Sequence, residues 1–439
     1  MSDNRPSLSE AEFSSICRDN LDIDALFDHS QSRWFIRRDG ENWTPDDRGE
    51  LLHLSSGIAK DVAPPFKNDG SIPGTRFIAG ALKIMGAHPE IAVKRDAWNA
   101  DEYRLGAPGG TINLKAAHVG VGTPDANDMI TKRLAVDPAD DEDCPRWKAF
   151  LSEITEGDAD VMRFFQQWFG YCLSGDMSEQ KFVFLVGPGG NGKGVLLRTI
   201  ARIMYDYAAT AAASAFIDHG STHPSDLAYL DGPHLVMLSE TDKGGRWKES
   251  HINAVTGADE ITARQMRQDF YTFSPRCKLV FVGNSVPNVA HVSDGLRRRF
   301  IIVPLEYKPR RVDPDLENAL RTEWPGILRW LINGCLEWQR DGLTIPERVR
   351  CKTAEYFGEQ QLLEQFLEDA CTVESGQFES ARTLYQGWRR FLEQKGEKVE
   401  SARDFGQRLT TAGFKSQPRT INGRSERCRI GLSFDGVTE

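Results

Sequence analysis

The stretch Gly187-Pro188-Gly189-Gly190-Asn191-Gly192-Lys193-Gly194 narrows what this chain can fold into more than any other feature. It follows an apolar run, Lys181 to Val186, and leads into a helical pattern from Val195 to Met204. In a G-x-x-x-x-G-K loop, glycines let successive backbone N–H groups turn toward one point, and the lysine adds a positive charge for the β and γ phosphates. The helix start behind the loop contributes its own unpaired N–H groups. A strand, this loop and a helix in that order predict an α/β nucleotide site, with Gly187 through Val195 as the cradle and ATP as the ligand.

Two further apolar runs, His234 to Leu238 and Lys278 to Val282, read with Lys181 to Val186 as central strands of a parallel sheet covered on both faces. Their ends would gather Gly187, Glu240 and Asn284 at the carboxyl edge of the sheet, where open α/β folds bind ligands. Glu240 is the candidate for polarising an attacking water, with Ser239 before it where a first carboxylate could stand. Asp242 is a candidate for holding Mg²⁺ through water, and Asn284 for sensing the γ-phosphate. Each of these could instead be an ordinary polar residue past a strand. The loop departs from its usual pattern at the last position, where Gly194 replaces the Ser or Thr whose hydroxyl reaches the metal.

Arg297-Arg298-Arg299 follows Ser293-Asp294-Gly295. A guanidinium from a neighbouring subunit would stabilise the charge of phosphoryl transfer, with Arg298 or Arg299 in that role, which requires an oligomer. A solvated basic turn is the alternative.

The rest of the chain reads as flanking modules. Residues 1–140 form a small α+β accessory domain. Its opening, AEFSSICRDNLDIDALF, has a helical pattern, and Arg95 to Asp137 has short apolar segments between glycine-rich turns. After the acidic run Asp140 to Asp143, Pro145 starts a helix bearing Trp147, Phe150, Leu151 and Ile154. A second helix bears Phe164, Phe165, Trp168 and Phe169. These begin a core spanning 141–345, and 346–439 forms a linker helix and a C-terminal module. In that module a helix from Ser380 to Lys395 is followed by a second from Ser401 to Thr411, opened by Ser401-x-x-Asp404. A hairpin turning at Asn422-Gly423 follows, and helix, helix, wing is the order of a winged helix.

The net charge is −10, yet from Ser380 onward twelve Arg and Lys face seven Asp and Glu, a net of +5 that leaves −15 on the rest. A basic module on an acidic body hints at a nucleic-acid partner there. Arg403 and Arg408 on the second helix, with Arg419, Arg424, Arg427 and Arg429 on the wing, are its candidate phosphate contacts, with protein docking as the alternative. The eight cysteines lie without a CxxC pair, which predicts reduced thiols. No apolar run approaches the roughly 20 residues that cross a bilayer, and no basic start precedes an apolar stretch. A cytoplasmic location without membrane contact is therefore expected.

Taken in order, GPGGNGKG, LSETD, TGADEITARQMRQDF, FVGNSVP and SDGLRRRF resemble the superfamily 3 helicases, specifically the primase-helicases of phages, plasmids and poxviruses. WKAFLSEITEGDADVMRFFQQWFGYCLSGD resembles the linker and collar helices of that family, and the likeness covers about three quarters of the chain. It implies a P-loop AAA+-type ATPase core and a hexameric ring. It also implies 3′ to 5′ movement on single-stranded or forked DNA, with ATP and Mg²⁺ as cofactors. By motif, Lys193 matches the nucleotide lysine, Glu240 the acidic residue, Asn284 the sensor, and Arg298 or Arg299 the finger. The segment between acid and sensor would form a hairpin in the ring channel, offering Arg264 and Arg267 to the DNA backbone, with Phe270, Tyr271 and Phe273 as either contacts or strand core. The first 140 residues show no paired-carboxylate metal site or zinc-ligand set, so primer synthesis is not predicted and a separate primase is an expected partner. Two other functions compete: a small-molecule kinase, which would not account for the arginine triplet or the wing, and a DNA-binding initiator or scaffold whose ATP site controls assembly.

Overall fold

The computed structural model describes residues 8–62, 74–116, 118–218, 224–239, 246–264, 269–287, 293–309, 313–421 and 423–436. The chain divides into two units. The first comprises Met1–Glu142 with Ile203–Asp206 and Trp324–Ile332, and the second Asp143–Arg202, Tyr207–Glu323 and Asn333–Glu439.

In the first unit the helical pattern at the start ends earlier than the sequence suggests. The helix covers Glu10–Asn20, where Ser9 and Glu12 form a reciprocal cap, and Asp24–Asp28 is a strand. The difference comes from partners distant in the chain: this strand pairs antiparallel with Arg33–Arg37 and parallel with Ala92–Val93. Tertiary pairing of this kind overrides a local period. Phe13 and Cys17 of the helix pack with Ile78, Ala81 and Met85 of helix Thr75–Gly86. Asp28 is fully buried and is satisfied by the N–H groups of Ser30 and Gln31, by Gln31 Nε2 at 2.7 Å and by Trp98 Nε1 at 3.0 Å. A buried carboxylate so fully paired is a structural anchor. The glycine-rich stretch forms short antiparallel strands at Arg104–Ala107, Gly110–Asn113 and Val121–Gly122.

The second unit is built on five parallel strands: β1 (Phe182–Val186), β2 (Ala208–Ala212), β3 (Leu235–Ser239), β4 (Lys278–Gly283) and β5 (Phe300–Pro304). They lie in the order β5-β1-β4-β3-β2. The three apolar runs are the middle strands of this sheet, and β2 and β5 flank them. Phe182, Phe184, Phe281 and Phe300 pack on one another and on Trp247, with Phe182 and Phe300 centroids 4.5 Å apart and Trp247 and Phe281 4.8 Å apart. Fully burying each such ring contributes about 1.5–3 kcal/mol.

Helices Pro145–Ile154 and Ala159–Tyr171 form, the second capped by Asp158 on the N–H groups of Asp160 and Val161. Their exit is tied to the amino ends of two sheet strands. His234 Nδ1 lies 2.7 Å from the Leu173 carbonyl, and the buried Lys278 ammonium donates to the Ser174 and Asp176 carbonyls while lying 4.6 Å over the Tyr171 ring. Burial pushes the Lys278 pKa down, so these contacts matter to holding its charge.

Beyond β5 come helices Leu316–Thr322, Trp324–Asp341 and Glu347–Ala370. The C-terminal module has helices Ala381–Lys395 and Ala402–Thr411, capped by Ser380 and Ser401, and strands Ser416–Ile421 and Arg424–Ile430 in an antiparallel hairpin. A third strand, Phe378–Ser380, pairs on the other edge of Arg424–Ile430. Its core is Phe366, Trp388, Phe391, Phe405 and Leu432.

Candidate nucleotide site

The loop after β1 is held from three sides. Its first N–H, Gly187, donates to the Gly283 carbonyl at the end of β4 at 3.3 Å. Asn191, 2 % exposed, donates through Nδ2 to the Leu305 carbonyl just past β5. A side chain at Gly187 would run into that same Leu305 carbonyl. Beneath the loop, a Cβ at Gly192 would come within 2.6 Å of Ile154 and 3.1 Å of Phe150, so helix Pro145–Ile154 packs directly against it. Gly190 and Gly192 have φ of +78° and +91°, the region where glycine alone is at ease.

Lys193 begins the helix Lys193–Met204. Its ammonium donates to the Gly187 carbonyl at 2.7 Å, the Pro188 carbonyl at 3.0 Å and Asn191 Oδ1 at 2.9 Å. All three acceptors belong to the loop itself. Burial pushes the Lys193 pKa down, since only neutral acceptors meet its charge. A cation so placed gains strongly from an anion that enters the cradle. Asn191 thus serves both as a strut to Leu305 and as a partner of Lys193, a double role that its place in the loop motif does not reveal.

The strand ends bring the other candidates alongside. Gly283 aligns with Val186, so Asn284 follows β4 beside the start of the loop, and it is exposed. Ser239 ends β3, the next strand over. Glu240 and Asp242 lie outside the described residues. Among the described residues there is no group of three or more His, Cys, Asp or Glu that could hold a metal, and Gly194 offers no hydroxyl. Lys193 thus brings a positive charge to the loop, and Gly194 brings no hydroxyl that could meet a metal. The loop motif gives no sign of Arg198, one helical turn after Gly194, whose Nη1 lies 2.8 Å from where a Cβ at residue 194 would be.

The arginine triplet separates by environment. It sits on the short helix Asp294–Arg299, capped by Ser293, whose hydroxyl donates to Glu249 at 2.5 Å. Arg299 is 8 % exposed, and its guanidinium donates to Thr256 Oγ1 and the Gly295 carbonyl, both at 3.0 Å. Arg297 lies 5.6 Å over the Phe357 ring. Arg298 is exposed, with no ion pair among the described residues. Arg297 and Arg298 line a cleft of about 370 Å³ together with Lys181, Arg350, Phe300 and Phe357, and no acidic residue among the described ones lines it.

The segment between β3 and β4 contains the antiparallel pair Ile261–Arg264 and Phe270–Phe273. Phe273 is buried in the sheet core, Tyr271 packs against that core, and Phe270 is 58 % exposed with Arg264 5.1 Å over its ring. Arg267 lies outside the described residues. In the C-terminal module Arg403 and Arg427 are exposed. Arg408 is turned to Glu400 and Glu359, each at 2.9 Å. Arg424 lies on the hairpin strand, and its side chain is outside what is described. No helix among the described residues is long and apolar enough to cross a membrane.

Comparison with known proteins adds the following. Residues 22–156 match the family described as D5 N terminal like, and residues 185–299 match a family of unknown function, DUF5906. The chain is similar to the "Putative helicase L207/L206" of Acanthamoeba polyphaga mimivirus, 25 % identical over 300 residues that cover 62 % of this chain and 31 % of that protein. It is also 36 % identical over 52 residues to the uncharacterized mitochondrial protein ymf21 of Marchantia polymorpha, covering 12 % of this chain and 29 % of that protein. The matches thus span about a third of the length of these curated relatives. Among solved structures it is similar to the apo structure of the NrS-1 C terminal region (305-718), with a TM-score of 0.48 at 12 % identity, covering 98 % of this chain and 100 % of that one. The A form apo structure of the same region gives a TM-score of 0.46, again at 12 % identity, covering 97 % of this chain and 100 % of that one. Residues 22–156 thus resemble the D5 N terminal like family, and the chain is similar over part of its length to a viral protein named as a putative helicase.

Proposed function

We propose that this chain is an ATP-dependent DNA helicase of the superfamily 3 kind. In this reading it has an AAA+-type P-loop core and a C-terminal winged helix. It works as a homo-hexameric ring moving 3′ to 5′ on single-stranded DNA during replication of a phage, plasmid or other mobile element. The observation that carries the reading is the Lys193 ammonium resting on loop carbonyls at the carboxyl edge of a parallel sheet, between the ends of β4 and β5. The similarity to the viral protein named "Putative helicase L207/L206" and to the D5 N terminal like family supports the same direction.

In this reading ATP enters the cradle, and its β and γ phosphates replace the carbonyl partners of Lys193. Phosphoryl transfer to water depends on positioning and charge stabilisation. Glu240 orients the attacking water, Asn284 reports the state of the γ-phosphate, and Arg298 reaches the site of a neighbouring subunit. Its exposure, and a cleft whose charged lining residues are all basic, favour it over the buried Arg299. Glu240 and Asp242 would hold Mg²⁺ through water, which when bound neutralises charge on the phosphate oxygens. Arg264, Arg267 and Phe270 would meet single-stranded DNA, whose backbone offers phosphates and whose bases stack on exposed rings. A separate primase is a fitting partner.

ATP turnover measured with and without single-stranded DNA tests this. DNA should raise turnover severalfold, Lys193→Ala should remove it, and particle imaging should find rings. DNA-independent turnover by a monomer would end the helicase reading. It would favour an ATP-regulated replication initiator or scaffold, the alternative that the missing hydroxyl at Gly194 keeps in play.

A further inference from the structure

Gly194 stands where the loop pattern usually has a hydroxyl, and the space a side chain would fill there is taken by Arg198. A Cβ at Gly194 would lie 2.8 Å from Arg198 Nη1 and 3.6 Å from its Cζ. The guanidinium is positioned from its other side. Nε donates to Glu317 Oε1 at 3.0 Å and Nη2 donates to the same oxygen, while Arg202 Nη1 holds Glu317 Oε2 at 2.8 Å. Glu317 comes from the helix Leu316–Thr322, more than a hundred residues further along the chain. Two of the three guanidinium nitrogens are thereby committed. Nη1 makes no hydrogen bond among the described residues and lies over the first turn of the helix that opens at Lys193.

We propose that Arg198 is a second phosphate-binding cation of the nucleotide site, donating from Nη1 to the β-phosphate, and that Gly194 leaves the guanidinium room to lie there. The inference rests on the nucleotide reading of the loop and adds a residue to it. The chemistry is direct. A guanidinium is always charged and presents donors in a fixed plane. With Nε and Nη2 clamped by a carboxylate, Nη1 is pre-oriented, so little rotamer freedom is lost when an anion arrives. Placing a fixed positive charge beside the phosphates also lessens the dependence on a metal that the loop cannot ligate through a hydroxyl. Helix Leu316–Thr322 acquires a role in the site through Glu317, which aims the arginine without touching the nucleotide.

The test is equilibrium binding of ADP and of adenosine, each by competition with a fluorescent ADP analogue, in EDTA and in Mg²⁺, with melting curves to establish that each variant folds. Arg198→Ala should weaken ADP binding in EDTA about 10-fold or more, the scale of one charge-assisted hydrogen bond, and leave adenosine unchanged. Arg198→Lys should recover part of the loss. Glu317→Gln should give a smaller loss with the same selectivity for ADP. Gly194→Ser should weaken ADP binding in EDTA by displacing the guanidinium, and should have no such effect in the Arg198→Ala background. ADP binding within about twofold of the parent in Arg198→Ala would overturn the inference, as would equal losses for ADP and adenosine, which mark a merely structural arginine. If the parent protein itself fails to bind ADP, or Lys193→Ala binds it as well as the parent, the loop reading fails instead, so the two failures are told apart.

Discussion

The loop after β1 and the C-terminal module both hold buried cations, but they hold them differently. Lys193 rests on two carbonyls and an amide oxygen of its own loop, within six residues of itself. Arg429, expected from the sequence to meet phosphates, is 7 % exposed and donates to Thr410 Oγ1 at 2.6 Å, the Phe414 carbonyl at 3.0 Å and the Gly406 carbonyl at 2.6 Å, clamping strand Arg424–Ile430 to the preceding helix. Arg408 likewise joins its helix to Glu400 and to Glu359 of helix Glu347–Ala370. Local neutral partners can be exchanged for a phosphate without disturbing the fold. Partners drawn from separate elements cannot be released without loosening those elements. Charge and burial alone do not mark a ligand site; what its partners belong to does.

This contrast can be broken by substitution. The largest effect is expected at Arg298: alanine there should lower turnover about 10³-fold, the scale of a removed arginine finger, with nucleotide affinity and melting temperature unchanged. An equal effect at both Arg298 and Arg299 would erase the distinction drawn between them. Lys193→Ala should cut turnover about 100-fold or more, a transition-state loss of about 2.7 kcal/mol, while unfolding stability stays within about 0.5 kcal/mol of the parent. Arg429→Ala should do the reverse, destabilising the module by about 1–3 kcal/mol in denaturant unfolding through stranded buried acceptors, with nucleotide binding intact. A stability loss at Lys193 as large as at Arg429 would contradict the comparison.

Smaller effects sharpen it. Arg403→Ala and Arg427→Ala should each move stability by less than about 0.5 kcal/mol. Any DNA binding they provide should appear as a shallower salt dependence, by about 0.7 for each phosphate that the variant no longer neutralises on a single strand. The smallest effect concerns Glu317. Hydrogen bonding from Arg198, then the charges of Arg198 and Arg202, holds its carboxyl below the usual carboxylate range. A depressed carboxylate favours the folded state above its unfolded pKa, about 4.3, and that contribution is lost as pH falls through the folded value. Glu317→Gln should therefore flatten the acid limb of a stability–pH curve slightly and leave the neutral plateau nearly level.

Much of this was legible in the chain itself. The loop, the three apolar strands, the aromatic collar helices and the Ser401-x-x-Asp404 cap each carry a local signal, of period, capping or turn chemistry. What local signals could not give is set by distant partners. The strand Ala208–Ala212 is an alanine-rich edge with little β-propensity, formed by pairing with β3. Asp24–Asp28 leaves a helical pattern because Arg33–Arg37 pairs with it. The β5 run Phe300–Pro304 stands directly behind the arginines, whose charge draws attention from it. Arg299 turns onto Thr256 and the Gly295 carbonyl, and Arg408 onto Glu359 and Glu400, partners that neither residue's own motif announces. The pairing of Gly194 with Arg198 lies one helical turn apart and was within reach, but Glu317, which aims it, was not.

If the Lys193 loop powers strand separation, unwinding of a tailed duplex reveals it most directly. With ATP, the protein should separate a duplex bearing a 3′ single-stranded tail, leave a 5′-tailed duplex largely paired, and lose the activity in Lys193→Ala. ATP hydrolysis with both duplexes left intact would contradict the account.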